Sequence, residues 1–222
     1  MKNTIIILGL LCLPFWASAQ WQVNLVSEAG LAIETLSQTT QAPGNTTEKP
    51  YSNYGALGYS FYGGIETQHF FTTRIGFTSG LGFSYVKSPD DIVIYPHSNW
   101  RSVSIKIPID MLVALGSRHH SNLRFGFSPH INLLQKSPDY ESPFTYTYKP
   151  VFWSIHAGYF YKPGKRLQVG IMLNRDISSF LKQRQEGVSI NNAAETVNLI
   201  TRHSFFTAQL SLHYRLFGNT NR

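Results

Sequence analysis

His119 stands two residues before Ser121, with Asn122 following. An imidazole at that spacing could take the proton of a serine hydroxyl and make it a nucleophile. Asp90 and Asp91, followed by His97, form a second grouping of the types that activate a water. The third set is spread along the chain: Glu28, Glu34, Glu66, Asp110 and Asp176 against Arg74, Lys106, Arg124 and Arg215, with His130, His156 and His213 in the same segments. Cys12 is the one cysteine, and it falls in an apolar leader, so thiol nucleophiles, disulfides and thiolate metal sites are not expected of the mature chain. There is no glycine-rich phosphate loop after a strand, no zinc spacing and no nucleic-acid motif. The Gly-x-Gly spacings sit within strands, where glycine relieves crowding.

What these residues can do depends on the elements that hold them. Lys2, the apolar stretch Thr4 to Phe15 and the small residues Ala17-Ser18-Ala19 read as a secretory signal peptide over 1–19, leaving residues 20–222 as a single domain. Nothing after the leader approaches the ~20 apolar residues of a membrane helix. Strand periodicity dominates instead. Val103, Ile105, Ile107, Ile109, Met111, Val113 and Leu115 alternate with Ser102, Ser104, Lys106, Pro108, Asp110 and Ala114, and Phe206, Ala208, Leu210, Leu212 and Tyr214 with Thr207, Gln209, Ser211, His213 and Arg215. Leu123 to Leu133 and Leu167 to Leu173 repeat the pattern, and further strands are expected near 21–34, 55–66, 74–86 and 151–161. The expected fold is all-β: an eight-stranded antiparallel transmembrane up-and-down β-barrel, apolar outside, since an open sheet edge cannot survive in hydrocarbon.

The connections alternate. Leu36–Asn53, Lys87–Asn99, Gln135–Pro150 and Ile177–Ile200 are long and rich in polar residues, so solvated mobile loops are expected there. Thr67–Thr73, Gly116–Asn122 and Lys162–Lys165 are short, the last with a Pro-Gly turn. Short turns belong on the periplasmic side of an outer-membrane barrel, which puts both termini there and the four long loops outside. Trp21, Tyr85, Trp100, Trp153, Tyr159, Tyr161 and Tyr214 fall near strand ends, as headgroup-level girdles do. The net charge of +7, which loss of Lys2 lowers by one, is not gathered into a phosphate-tracking patch; it reads as a membrane-surface feature rather than as a nucleic-acid footprint.

Eight strands leave a lumen just wide enough to be filled by side chains. Inward glycines (Gly58, Gly64, Gly76, Gly80, Gly82, Gly126, Gly158, Gly170) alternate with bulky Tyr62, Phe152, Phe160 and Met172. Enclosed charges persist only if paired or wetted. The expected interior polar network comprises Glu28, Glu66, Arg74, Lys106, Asp110, Arg124, His130, His156, Asp176, His213 and Arg215. Within it Glu66, Arg74, Asp110, Arg124 and Arg215 are expected to close the periplasmic half, as a structural plug rather than an ion path. His130 and His156 are expected to meet as a hydrogen-bonded pair on adjacent strands, with no metal and no cofactor.

His119-His120-Ser121-Asn122 resembles the His-x-Ser-Asn motif of outer-membrane lipid A deacylases, but it falls in a periplasmic turn, away from the outer leaflet, and reads as a polar turn. Asp90-Asp91 with His97 is a remnant of an omptin-like constellation, read as an acidic loop. Over Ile105-Lys106-Ile107-Pro108-Ile109 and Leu123-Arg124-Phe125-Gly126-Phe127-Ser128-Pro129-His130-Ile131-Asn132-Leu133-Leu134, the chain resembles the small outer-membrane β-barrel proteins of Bacteroidota, including the PorT-like group. Ile109 stands where that group carries leucine, and His130 where it carries tyrosine. The resemblance implies the barrel fold and an outer-membrane location. The expected function is non-enzymatic: a lipid-embedded support whose outer loops form a surface or envelope-protein interaction platform. Its partners would be outer-membrane lipid and lipopolysaccharide, with another envelope or secretion-system protein, and no nucleic acid. The alternatives are a narrow solute pore and a lipid A-modifying enzyme using Ser121 and His119.

Overall fold

The computed structural model describes residues 20–42, 45–49, 57–87, 101–116, 120–134, 144–189 and 196–218. The strands in chain order are β1 (Gln20–Ala42), β2 (Asn45–Lys49), β3 (Leu57–Phe70), β4 (Ile75–Lys87), β5 (Arg101–Lys106), β6 (Ile109–Leu115), β7 (Ser121–Asn132), β8 (Phe144–Tyr148), β9 (Val151–Tyr161), β10 (Leu167–Asp176), β11 (Leu181–Ser189) and β12 (Thr196–Gly218). The expected leader, 1–19, lies outside the described residues.

Eight antiparallel walls follow one another around a ring: β1, β3, β4, β5 with β6, β7, β9, β10 and β12. The ring closes because β12 pairs back onto β1, from Gln22↔Gly218 to Gln41↔Asn198. The fourth wall is expected to be one strand, and it is split at Ile107-Pro108, since proline carries no N–H to donate to a ladder. Hydrogen bonding nevertheless continues past the break: the Gly80 N–H donates to the Pro108 carbonyl (3.2 Å) and the Ile107 N–H to the Pro129 carbonyl (3.1 Å).

Register fixes the dimensions. Stepping between paired residues from Gln22 leads through Gln68, Thr78, Asp110, Gly126, His156, Asn174 and Thr207 back to β1 at Ala32. From position 22 to position 32 is a stagger of ten residues over eight walls, which with ordinary strand spacings tilts the strands by roughly 40°.

The two faces have the inverse polarity of a water-soluble barrel. Leu210 (68 % exposed), Phe83, Leu81, Ile171, Leu25 and Ile65 point outward, whereas Glu28, Glu66, Lys106, Asp110 and Arg124 are buried inside. A ring without a free edge, clad in aliphatic and aromatic side chains, satisfies the backbone without water and presents its apolar face to lipid. Trp21, Trp153, Tyr159, Tyr161 and Tyr214 are exposed on this face. Among the described residues no helix is long and apolar enough to cross a membrane.

Three of the connections expected as mobile loops carry strand instead. β1 continues to Ala42 and turns into β2 (Gln38↔Lys49 to Ala42↔Asn45), while β12 begins at Thr196 and pairs with β11, which in turn pairs with β8. Thr, Val and Tyr in these segments favour extended backbone, and a register already set in the wall needs only to be continued. A five-stranded sheet, β2-β1-β12-β11-β8, therefore rises above one side of the ring. At the other end the connections are tight, with Gly116 at φ 72° in open space after β6.

Leu210→Arg places a guanidinium on the lipid face at the middle of β12. It is expected to lower unfolding stability in vesicles by about 2–4 kcal/mol. An unchanged urea midpoint would show that this face does not meet hydrocarbon.

Candidate functional site

The interior is stacked in layers. At the short-turn end lie amides, with the Gln168 Nε2 donating to Gln68 Oε1 at 3.5 Å and Gln22 beside them in register. Above them is the ionic layer. Arg124 reaches Glu66 (Nη1 to Oε2, 2.8 Å) and Asp110 (Nε to Oδ2, 2.5 Å, with a second contact from Nη2), while His156 Nε2 meets the other Asp110 oxygen. One guanidinium thus holds two carboxylates from two other walls, the fork geometry to which arginine is suited.

Gly126 makes the Asp110–His156 contact possible. Asp110, Gly126 and His156 share one row across three walls. A Cβ on Gly126 would strike the Asp110 carboxylate and the Ile109 carbonyl, so the missing side chain leaves the gap through which His156 reaches. His213 completes the layer, with Nδ1 3.8 Å from Glu66, Nε2 2.9 Å from the Ser211 hydroxyl, and its ring edge-on to Phe160.

Higher up, Lys106 lies 3.8 Å from Glu28, donates to Asn174 Oδ1 at 3.2 Å and stands over the Tyr62 ring. Asn174 passes the network on to Thr207 and Gln209, and Ser211 donates to Glu28 at 3.0 Å. A cavity of ≈ 30 Å³ remains among Lys106, His130, Ser154, Asn174, Asp176 and Gln209. That is room for a water or two, not a solute. The long-connection end is closed by aromatics: Phe180 stacks on Phe205 at 4.8 Å and packs beside Phe152, with Ala32, Val86 and Leu181 around them. Phe180 is carried inward by the turn after β10 and fixed by its N–H donating to the His203 carbonyl (3.0 Å).

Glu28, Glu66, Lys106, Asp110, Arg124, His130, His156, Asp176 and His213 all project into this interior. Two expected members do not join the ionic layer. Arg74 is exposed in the turn between β3 and β4, one residue before the ladder begins. Arg215 is half-buried at the short-turn end and meets no carboxylate among the described residues. The histidine pair is also corrected. Register sets His130 opposite Phe152, on which it stacks at 4.4 Å, and His156 opposite Gly126, so the rings are offset along the wall. His130 bonds Ser104 (3.1 Å) and Ser154 (2.9 Å) instead. Asp176 accepts from the Phe205 N–H at 2.9 Å. His203, with Nδ1 2.5 Å from Glu34, belongs to the interior as well; the alternation of Phe205 and Thr207 on β12 carries the signal for it.

The Ser121 hydroxyl lies 2.8 Å from the Tyr159 hydroxyl, and His120 is exposed. His119, Asp90, Asp91 and His97 lie outside the described residues. Among the described residues no three His, Cys, Asp or Glu side chains are grouped to hold a metal ion.

No protein-family model matches the chain, and no curated protein sequence does. Among solved structures it is similar to the outer membrane protein OprG from Pseudomonas aeruginosa (9 % identity, TM-score 0.41, covering 87 % of this chain and 96 % of that one). It is similar also to Ail, the attachment invasion locus protein of Yersinia pestis (9 %, 0.37, 86 % and 99 %), and to the outer membrane protease OmpT from Escherichia coli (10 %, 0.36, 87 % and 97 %). At such identities and scores the description of the barrel rests on this chain's own register and polarity.

Arg124→Ala would strand Glu66 and Asp110 without their cation. Unfolding in vesicles is expected to become easier by about 3–5 kcal/mol, the range for breaking a buried ion pair. A loss below about 1 kcal/mol, the scale of an exposed pair, would mean that water reaches this layer.

Proposed function

We propose that this protein is an integral barrel of a bacterial outer membrane, non-enzymatic, whose outer sheet and loops form a platform that contacts another envelope protein or a surface polymer. The observation that carries this reading is the sheet β2-β1-β12-β11-β8, which prolongs the wall beyond the apolar band and so supports its tips rigidly. Its outermost strands, β2 and β8, each pair on one side only among the described residues, and such edges accept a further strand. The alternation of long and short connections supports an orientation with this sheet outside and both termini in the periplasm. The ionic layer and the aromatic closure support a filled barrel rather than a conduit.

Replacing residues 190–195 with a two-residue turn is expected to leave heat-modifiable folding intact while changing what is captured when crosslinked outer membranes are solubilised. Loss of folding, or an unchanged set of crosslinked partners, would count against the platform. In planar bilayers the protein is expected to show no stable unit conductance. Conductance steps abolished by Lys106→Gln would assign the lumen to solute passage.

A further inference from the structure

Two opposite charges line the interior cavity without forming a pair. The Lys106 ammonium donates to Asn174 Oδ1 at 3.2 Å and stands 3.8 Å from Glu28. Asp176, which lines the same cavity, accepts the Phe205 N–H at 2.9 Å and makes no ion pair among the described residues. Asn174 and Asp176 lie two positions apart on one face of β10, a rise of roughly 7 Å along the strand. An ammonium bonded to the first therefore faces the carboxylate of the second across a gap that suits a bridging water better than direct contact. Ser102 adds a third group. Its side chain is 2 % exposed and lines the cavity, and its hydroxyl has no hydrogen-bond partner among the described residues. A buried hydroxyl left so is costly unless something in the cavity meets it.

Size and charge select the occupant. At roughly 10–15 Å³ for each water, the ≈ 30 Å³ cavity admits about two and nothing larger. A cation there would be repelled by Lys106 and an anion by Asp176, whereas a neutral molecule that both donates and accepts complements the two together. Apolar cavities stay dry, but this one is lined by an ammonium, a carboxylate, hydroxyls and amides. We propose that the cavity is an internal hydration site, in which ordered water bridges the Lys106 ammonium to the Asp176 carboxylate and satisfies the Ser102 hydroxyl. Asp176 is the last residue of β10 and immediately precedes the turn that carries Phe180 into the mouth. The bridge thereby ties the base of that turn to β5 across the lumen, so the aromatic closure stands on a hydrated joint. It belongs to the lumen alone and is independent of any partner of the outer sheet.

Crystals of the full mature chain, grown once with sodium chloride and once with rubidium bromide, read the occupant directly. Density of water weight is expected between Lys106 Nζ and the Asp176 carboxylate, the same in both crystals and without anomalous signal. A cavity without density, or bromide or rubidium signal inside it, would overturn the site. The second measurement is urea unfolding in vesicles of Ser102→Val, which adds apolar bulk to the cavity, beside Ser102→Ala, which leaves room for water. Eviction of the bridge by Ser102→Val is expected to lower the folding equilibrium constant roughly tenfold, the scale of a hydrogen bond to a charged group, while Ser102→Ala should change it little. A void without water would instead gain from being filled. A Ser102→Val chain as stable as the unaltered protein, or more so, would therefore also overturn the proposal, and should that variant fail to fold, the crystals of the unaltered chain decide.

Discussion

The absence of water in a bilayer is the constraint on which the rest of the structure depends. Each backbone N–H and C=O in the hydrocarbon needs a partner within the chain, so every wall must be paired on both sides and the sheet must close. Here the closure of β12 on β1 with a ten-residue stagger sets the radius, and the radius makes a lumen narrow enough for side chains to fill. Interior packing follows from that: Tyr62, Phe160 and Met172 are almost wholly buried, and glycines opposite or beside them make way. A Cβ at Gly170 would meet the Phe160 ring, and one at Gly82 the Tyr62 ring. Large and small side chains interlock because the walls cannot move apart.

A closed narrow tube turns every inward charge into an expense that must be offset locally. Arg124 offsets two at once, and Gly126 lends the gap that brings His156 to Asp110. The gradient along the axis, from amides through ion pairs and a small polar-lined cavity to packed aromatics, separates the two ends of the lumen chemically. The closure at the long-connection end is apolar because Phe180 comes from a turn folded into the mouth, where rings bury area that a polar plug would need water to satisfy.

Period-two alternation makes the walls, the inward and outward faces and most interior residues legible in the sequence, because the walls keep that period over most of their length, with a register shift at Val23/Asn24. Arg74 departs from that parity: its carbonyl accepts the Ala114 N–H at 2.7 Å, but it lies at the very end of the wall, where its side chain is exposed. The pairing of His130 with His156 required knowledge of relative stagger between neighbouring walls, which alternation within a strand does not contain. Phe180 falls within the expected loop Ile177–Ile200 for a different reason: only the return of the chain over the mouth buries it. The extended sheet was hidden by composition: its Thr, Gln and Asn residues are shared by solvated loops, and the pairing that makes them strand is between distant segments.

The longest ladder among the described residues joins β1 to β12, so it cannot begin to form until β12 has been synthesised. Until then one edge of β1, an outwardly greasy ribbon, stays open to wrong neighbours, the other being covered by β2 and β3. Whatever holds the nascent polypeptide must therefore shield that ribbon until β12 arrives, and β12 acts as the latch whose docking commits the whole cylinder to the membrane.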